Sequence, residues 1–395
     1  MDALTKILSL SASEKAARGL SHTPAEIAQQ PDTWLVTSAL FESRRSEIVE
    51  FLSAAGLDAA SASRPTIFLI GAGTSDYIGQ CLAHLLRKCW QREVIPVPST
   101  DLLTHMDDWL IPGKKYIWIS FSRSGESSEG VAVLERARKH HPDIRHLIIS
   151  CNKDSTMIRG SLRQPHTLAI PLADAVNDNG LAMTSSFSNM LVFGQCLAHM
   201  NNFGAYEQLL PTVAEAGRQF LPQAAESASA LAEGGFTKAC FVGSGPLRAV
   251  ARECALKLLE MTAGQTPTMS ESVLGLRHGP MAALDEDTLF VCFLSSDERI
   301  QRYERDLLGE IGNKQLVRCR VAIGGAAMPA RGSFSEYSVP FASTVSVADD
   351  YRPAVDVFFG QLLGLFFSLR WDLKPDCPSP NGAISRVVQN LSIHA

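Results

Sequence analysis

The chain has 395 residues, 46% hydrophobic and 19% charged, enough to bury two sizeable cores and too apolar for a disordered polymer. Against 41 acidic residues stand 36 basic ones, a formal charge of −5 with no Lys/Arg-rich block, so neither nucleic acid nor an anionic membrane surface is expected as a partner. Nine cysteines form no C-x-x-C pair and have no zinc-ligand spacing to histidine; they read as small hydrophobes, and no metal site is expected.

Residues 1–50 read as a helical arm packed on the first domain, its stretches separated by Pro24 and Pro31. The start, Met1-Asp2-Ala3-Leu4-Thr5-Lys6, leads into alternating apolar and polar residues rather than an uninterrupted apolar region, so no signal peptide is expected. A reducing cytoplasm is the expected compartment. Beyond the arm, segments of strand and helix character alternate, the pattern of an α/β fold with mostly parallel sheets. Strands are predicted at residues 66–70, 93–97, 116–121, 146–150, 239–242, 289–294 and 318–323. The late apolar run from Val357 to Leu369 is interrupted by Gly360, Gln361 and Gly364 and is too short to span a bilayer.

The two halves repeat at an offset of 172 residues. Gly71-Ala72-Gly73 falls on Gly243-Ser244-Gly245, each after an apolar strand and before a helix. At the same offset Ile117-Trp118-Ile119-Ser120-Phe121 falls on Leu289-Phe290-Val291-Cys292-Phe293, which predicts duplicated domains. The boundary is placed near residues 203–212, where Asn201-Asn202-Phe203-Gly204 follows one helix and Pro211 interrupts the next.

In the first copy Ser122-Arg123-Ser124-Gly125-Glu126-Ser127 joins a predicted strand to a predicted helix. Free N–H groups at a helix N-terminus, hydroxyl donors, and a glycine permitting close approach suit a phosphate. The plainer reading is a loop with a serine N-cap. The second copy reads Leu294-Ser295-Ser296-Asp297 there, lacking the glycine and adding a carboxylate that would repel phosphate, so only the first is expected to hold the anion. The glycine loop Gly71-Ala72-Gly73-Thr74-Ser75-Asp76 fails the dinucleotide fingerprint, since Asp76 stands where the third glycine belongs; Thr74 and Ser75 offer hydroxyls at the strand end instead.

Glu253, Lys257 and Glu260 share one face of a predicted helix. They read either as a solvated Glu–Lys pair or, because the neighbours Cys254, Ala255, Leu256, Leu258 and Leu259 leave little of the helix polar, as a tuned base in a cleft. His278, before Gly279-Pro280, reads either as a structural residue or as a loop histidine with an accessible ring.

Together these residues resemble the sugar isomerase (SIS) superfamily, as found doubled in the isomerase half of glucosamine-6-phosphate synthase. Gly73-Thr74-Ser75, Ser122-x-Ser124-Gly125-Glu126-Ser127, Glu253-x-x-x-Lys257-x-x-Glu260 and His278-Gly279-Pro280 occur in that family's order, from about residue 50 to the C-terminus. The resemblance implies two tandem three-layer α/β/α domains: 51–205 with the phosphate loop and 206–375 with the base, followed by a tail, 376–395, that closes on the site. It implies a sugar 6-phosphate held by Thr74, Ser75, Ser122, Arg123, Ser124 and Ser127, and a proton moved between C1 and C2 by Glu260 beside Lys257 and Glu253. It also implies a homodimer or larger assembly in which His278 is supplied by the neighbouring subunit to open the sugar ring, with no metal or redox cofactor.

Two departures from the synthase matter. The glutaminase domain with its N-terminal cysteine has no counterpart, residue 2 being Asp. Where the synthase carries a Schiff-base lysine near its C-terminus, this chain reads Ala383-Ile384-Ser385-Arg386-Val387; an arginine cannot do amine chemistry at neutral pH, so Ser385 and Arg386 are expected to bind. The whole is most similar to the AgaS group, galactosamine-6-phosphate deaminase/isomerases also called tagatose-6-phosphate ketose/aldose isomerases. A non-deaminating aldose–ketose isomerase is the nearest alternative, and a non-catalytic sugar-phosphate sensor is an alternative of another class.

Overall fold

The structure is a computed structural model describing residues 1–59, 64–162, 164–324, 335–339, 347–388 and 391–394. Its strands are β1 (Thr66–Gly71), β2 (Val94–Pro98), β3 (Tyr116–Ser122), β4 (Arg145–Ser150), β5 (Thr167–Pro171), β6 (Lys238–Gly243), β7 (Thr268–Ser272), β8 (Thr288–Phe293), β9 (Cys319–Ile323) and β10 (Ser335–Val339). The α-helices are α1 (Ala3–Leu8), α2 (Ala12–Arg18), α3 (Thr23–Ala28), α4 (Gln30–Ala54), α5 (Thr74–Trp90), α6 (Ser99–Trp109), α7 (Ser128–His140), α8 (Thr156–Arg159), α9 (Ser185–Ala198), α10 (Phe203–Ala232), α11 (Pro246–Met261), α12 (Glu298–Asn313) and α13 (Pro353–Arg370).

The chain divides into two compact units. One comprises Asp32–Asp178, Ser185–Leu210 and Ser385–Ala395; the other comprises Met1–Pro31, Asn179–Thr184 and Pro211–Ile384. The first holds a parallel sheet in the order β2-β1-β3-β4-β5, the second a parallel sheet in the order β10-β9-β8-β6-β7. Taken from the other edge, the second order is β7-β6-β8-β9-β10, the first topology repeated strand for strand. The duplication expected from the constant offset is therefore present as two α/β sheets.

In the β1–β5 unit, right-handed crossovers carry α5 to one face of the sheet and α6, α7 and α8 to the other. The packing agrees: α5 lies against α9, while α6 touches α7 and α7 touches α8. Phe68, Ile70, Val97, Leu102, Met106, Trp118, Val133 and Ala137 form the core under α6 and α7. On the opposite face two glycines allow close packing. A Cβ at Gly79 would stand 2.9 Å from Leu69 Cβ, and one at Gly194 would stand 2.1 Å from Leu82 Cδ1. α4 covers α9, with Trp34 Nε1 donating to Ser188 Oγ at 2.8 Å and Phe41 edge-on to Phe193.

In the β6–β10 unit α13 packs along α11 through Gly360 and Gly364, one turn apart. Of the arm expected to pack on the first domain, Met1–Pro31 belongs instead to this unit, tied to it by Asp376, whose carboxylate accepts from the backbone N–H groups of Ser21 (2.7 Å) and Thr23 (2.8 Å). α13 is 18 residues, longer than the run read from sequence, and by length and composition could cross a bilayer. Burial of 89% of it inside the protein is the condition of a core helix.

Several sequence expectations are corrected. Successive helices do part near Pro24 and Pro31, yet the prolines lie not in the breaks but within the first turns of α3 and α4, where a missing N–H costs no hydrogen bond. Pro211 does not interrupt a helix but lies inside α10, as does Pro222. β5, β7 and β10 are absent from the predicted strands. All three are edge strands, which need no continuous apolar run; Thr268–Ser272 is half-buried along its whole length.

Candidate active site

The loop after β3 is built by its own hydroxyls and clamped from below. Gly125 N donates to Ser122 Oγ at 3.0 Å and Glu126 N to Ser124 Oγ at 3.2 Å. A hydroxyl that accepts keeps its proton to donate, so both serines remain able to bond an anion. Gly125 has φ +60, and a Cβ there would lie 2.3 Å from Ser155 Oγ, so no other residue fits without displacing the next loop. Asn152 Nδ2 donates to the carbonyl of Ser124 (3.1 Å), and Met157 N to that of Gly125 (3.1 Å). Glu126 turns its carboxylate away to accept from Thr156 N and Thr156 Oγ1, both at 2.7 Å. What faces outward is the N-terminus of α7, where Ser127 is the N-cap but makes no side-chain cap bond. The N–H groups of such a first turn lack backbone acceptors, a ready anion site.

Thr74 and Ser75 open α5 after Gly73, whose φ of 54 is again a glycine conformation; both side chains are buried. Arg123 is buried as well, its Nη2 donating to the carbonyl of Arg386. The Arg386 guanidinium donates to the Asp178 carbonyl and to Asn177 Oδ1, each at 2.5 Å, and Ser385 Oγ donates to the Val387 carbonyl at 2.8 Å. The tail segment that carries Ser385 and Arg386 thus belongs to the β1–β5 unit and fixes Arg123 within it. Cys151 lies in the same electrostatic environment, near Asp178, Arg123 and Arg386; complete burial raises its pKa far above the ordinary thiol value and keeps it inert.

The β6–β10 unit carries the other candidates. On α11 Lys257 and Glu253 are fully enclosed, with Lys257 Nζ 3.4 Å from Glu253 Oε1 and in contact with Glu260 Oε1. Glu260 is the member that reaches solvent, its side chain 24% exposed. The plain reading of a solvated Glu–Lys face is excluded by this burial. One lysine held between two carboxylates leaves net negative charge, with the exposed carboxylate the one able to meet a ligand proton. His278 ends a 3-10 turn anchored by buried Leu276 and by Arg277 Nε donating to Glu310 Oε2 at 2.7 Å. Gly279 follows with φ +121. The His278 ring is exposed and hydrogen-bonds to nothing among the described residues.

The clamps Asn152, Ser155 and Thr156 and the anchors Asn177 and Asp178 are not among the residues that sequence reasoning finds. They come from other strand ends, and only Ser155, the N-cap of α8, carries a local cap signal.

A doubled α/β sheet with a serine-lined loop after β3 defines the class, and residues 61–200 match the SIS domain family. D-galactosamine-6-phosphate deaminase AgaS from Escherichia coli is 31% identical over 373 residues, covering 94% of this chain and 95% of that protein. The AgaS deaminase of Shewanella sp. is 30% identical over 392 residues, 98% of this chain and 95% of the relative. The solved tagatose-6-phosphate ketose/aldose isomerase from Escherichia coli matches with a TM-score of 0.83 at 29% identity, covering 94% of this chain and 96% of that one. The chain belongs to the AgaS family of double-SIS proteins.

Proposed function

We propose that this protein is a deaminating isomerase converting galactosamine 6-phosphate to tagatose 6-phosphate and ammonia, as its near-full-length AgaS relatives are named. The observation that carries the reading is the buried Glu253–Lys257 pair that leaves Glu260 as the accessible carboxylate. In this reading the hydroxyls of Thr74, Ser75, Ser122, Ser124 and Ser127 and the N-terminus of α7 grip the 6-phosphate, with Arg123 adding positive charge. Phosphate binding away from the reacting carbons supplies orientation.

His278 of a second copy of the chain opens the pyranose. Glu260 takes the C2 proton of the 2-amino aldehyde, the C2–H electrons forming the C1=C2 bond of an enaminol as the aldehyde oxygen gains a proton. Protonation at C1 then leaves an imine at C2. Water adds to that carbon and ammonia departs, so one water is consumed and one ammonia released for each ketose. Lys257 holds the charge of the two carboxylates in balance. The free state of all nine cysteines fits a reducing cytoplasm.

A non-deaminating isomerase is the second reading, favoured by the ketose/aldose isomerase activity for which the Escherichia coli structural neighbour is named. Incubation with galactosamine 6-phosphate, glucosamine 6-phosphate and tagatose 6-phosphate, with ammonium and ketose measured together, separates the two. Ammonium equal to ketose from the galacto substrate supports deamination. Interconversion of neutral sugar phosphates without ammonium supports the simple isomerase, and binding without turnover supports a sensor.

A further inference from the structure

The second copy of the strand–loop–helix unit keeps a serine loop whose donors are met by the chain's own carboxylates. Its framework matches the first closely. Gly245 has φ 55 where Gly73 has φ 54, and a Cβ at Gly243 would stand 2.3 Å from the Leu247 carbonyl oxygen, as one at Gly71 would stand 2.4 Å from that of Ser75. After β8 the loop Leu294-Ser295-Ser296-Asp297 leads into α12. Asp297 N donates to Ser295 Oγ at 3.0 Å, a two-residue turn like the one Glu126 N and Ser124 Oγ make in the first copy but one position earlier in the repeat.

The sequence alone makes Asp297 the group that repels phosphate from this loop. In the structure its carboxylate instead caps α12, accepting from Arg299 N at 2.9 Å and pairing with the Arg299 guanidinium at 2.8 Å. Ser295 N donates to the buried carboxylate of Glu304 at 2.7 Å, and the residue that meets the remaining loop donors is Asp349, from the segment before α13. Its Oδ1 accepts from Ser296 N at 2.7 Å and from Arg352 Nη1 at 3.3 Å, while its Oδ2 accepts from the Ser295 hydroxyl. A backbone N–H, a serine hydroxyl and a guanidinium are the donors a bound oxyanion takes. Ser295 is fully buried and Arg352 nearly so, and Arg352 Nη1 also donates to the Leu294 carbonyl at 2.5 Å, so the cradle is rigid.

We infer that Asp349 is a built-in oxyanion, the chain's own carboxylate seated in the second copy's ancestral anion loop, and that the loop would accept a small free oxyanion such as formate or phosphate were Asp349 absent. The donors and the occupant all lie in the β6–β10 unit, so the inference does not depend on what the first loop binds.

The test is Asp349→Ala beside wild type, titrated with inorganic phosphate by calorimetry and melted with and without formate. It is run at about pH 6, because the neighbouring Asp356, fully buried, has its pKa raised to about 7 and so carries its proton there. The expected result is one additional phosphate per chain in the variant, and a formate-dependent rise in Tm that wild type lacks. Equal phosphate counts together with no formate effect would overturn the inference. Should the variant not fold, wild-type crystals soaked in phosphate decide the matter: the Ser295–Ser296 loop is expected to hold Asp349 alone, and a phosphate bonded to Ser296 N would refute it.

Discussion

Gly364 on α13 lies against the backbone of Lys257 on α11: a Cβ at Gly364 would stand 3.0 Å from the Lys257 carbonyl oxygen. This close approach packs α13 against the helix that carries the buried Lys257–Glu253 pair, which ties the proposed base to helix packing.

Lys257→Met tests the enclosed pair. Removing the ammonium leaves Glu253 buried without its cation, and breaking such a pair costs on the order of 3–5 kcal/mol. Urea denaturation should show that loss, with the midpoint moving and the slope unchanged.

Gly360→Ala tests that helix packing. The new methyl would meet Cys254 Cβ at 2.4 Å and Cys254 Cα at 2.5 Å, and the backbone atom cannot swing aside. Overpacking of this kind costs about 1–3 kcal/mol. The expected outcome is a lower Tm together with a lower kcat, because α11 carries Glu260.

In the proposed phosphate loop, Ser124→Ala removes a donor, and Arg386→Ala removes the bonds to Asn177 and Asp178 that hold the carbonyl on Arg123. Loss of one hydrogen bond to a charged group costs about 1.5–3 kcal/mol, so Ser124→Ala should raise KM by roughly ten-fold or more with a smaller effect on kcat. Arg386→Ala should raise KM in the same sense. Steady-state kinetics at fixed pH separates the two parameters.

Asp356 provides a pH prediction. Burial raises its folded pKa from an ordinary 3.8 to about 7, partly opposed by Arg352 beside it. The folded state therefore holds a proton that the unfolded chain has released between those values. The stability this group contributes is greatest below pH ~4 and is lost as pH rises through about 7. Glu304 in the same cluster is shifted the same way by burial. Asp356→Asn removes one of the two, so its Tm should fall less than that of wild type between about pH 5 and pH 8, as calorimetry at several pH values would show.

Much of this architecture is legible in the sequence because central strands are buried on both faces. Thr66–Gly71 and Thr288–Phe293 are enclosed at every position and read as unbroken apolar runs. Ser122, Ser124 and Gly125 could be found from their neighbours, since the loop that presents them is local. The edge strand Thr268–Ser272 could not, its residues other than Met269 being polar and all of them half-buried. Nor could the bonds from Asn152 to Ser124, from Arg386 to Asn177 or from Asp349 to Ser296, which join residues distant in the chain and leave no periodic trace.

The most direct measurement is ammonium and ketose release from galactosamine 6-phosphate by wild type and by Glu260→Gln. Wild type should yield tagatose 6-phosphate and ammonium in equal amounts, and the variant should still bind the sugar phosphate while releasing neither. Ketose without ammonium from wild type, or turnover by the variant within about ten-fold of wild type, a difference of only ~1.4 kcal/mol in the barrier, would contradict the account.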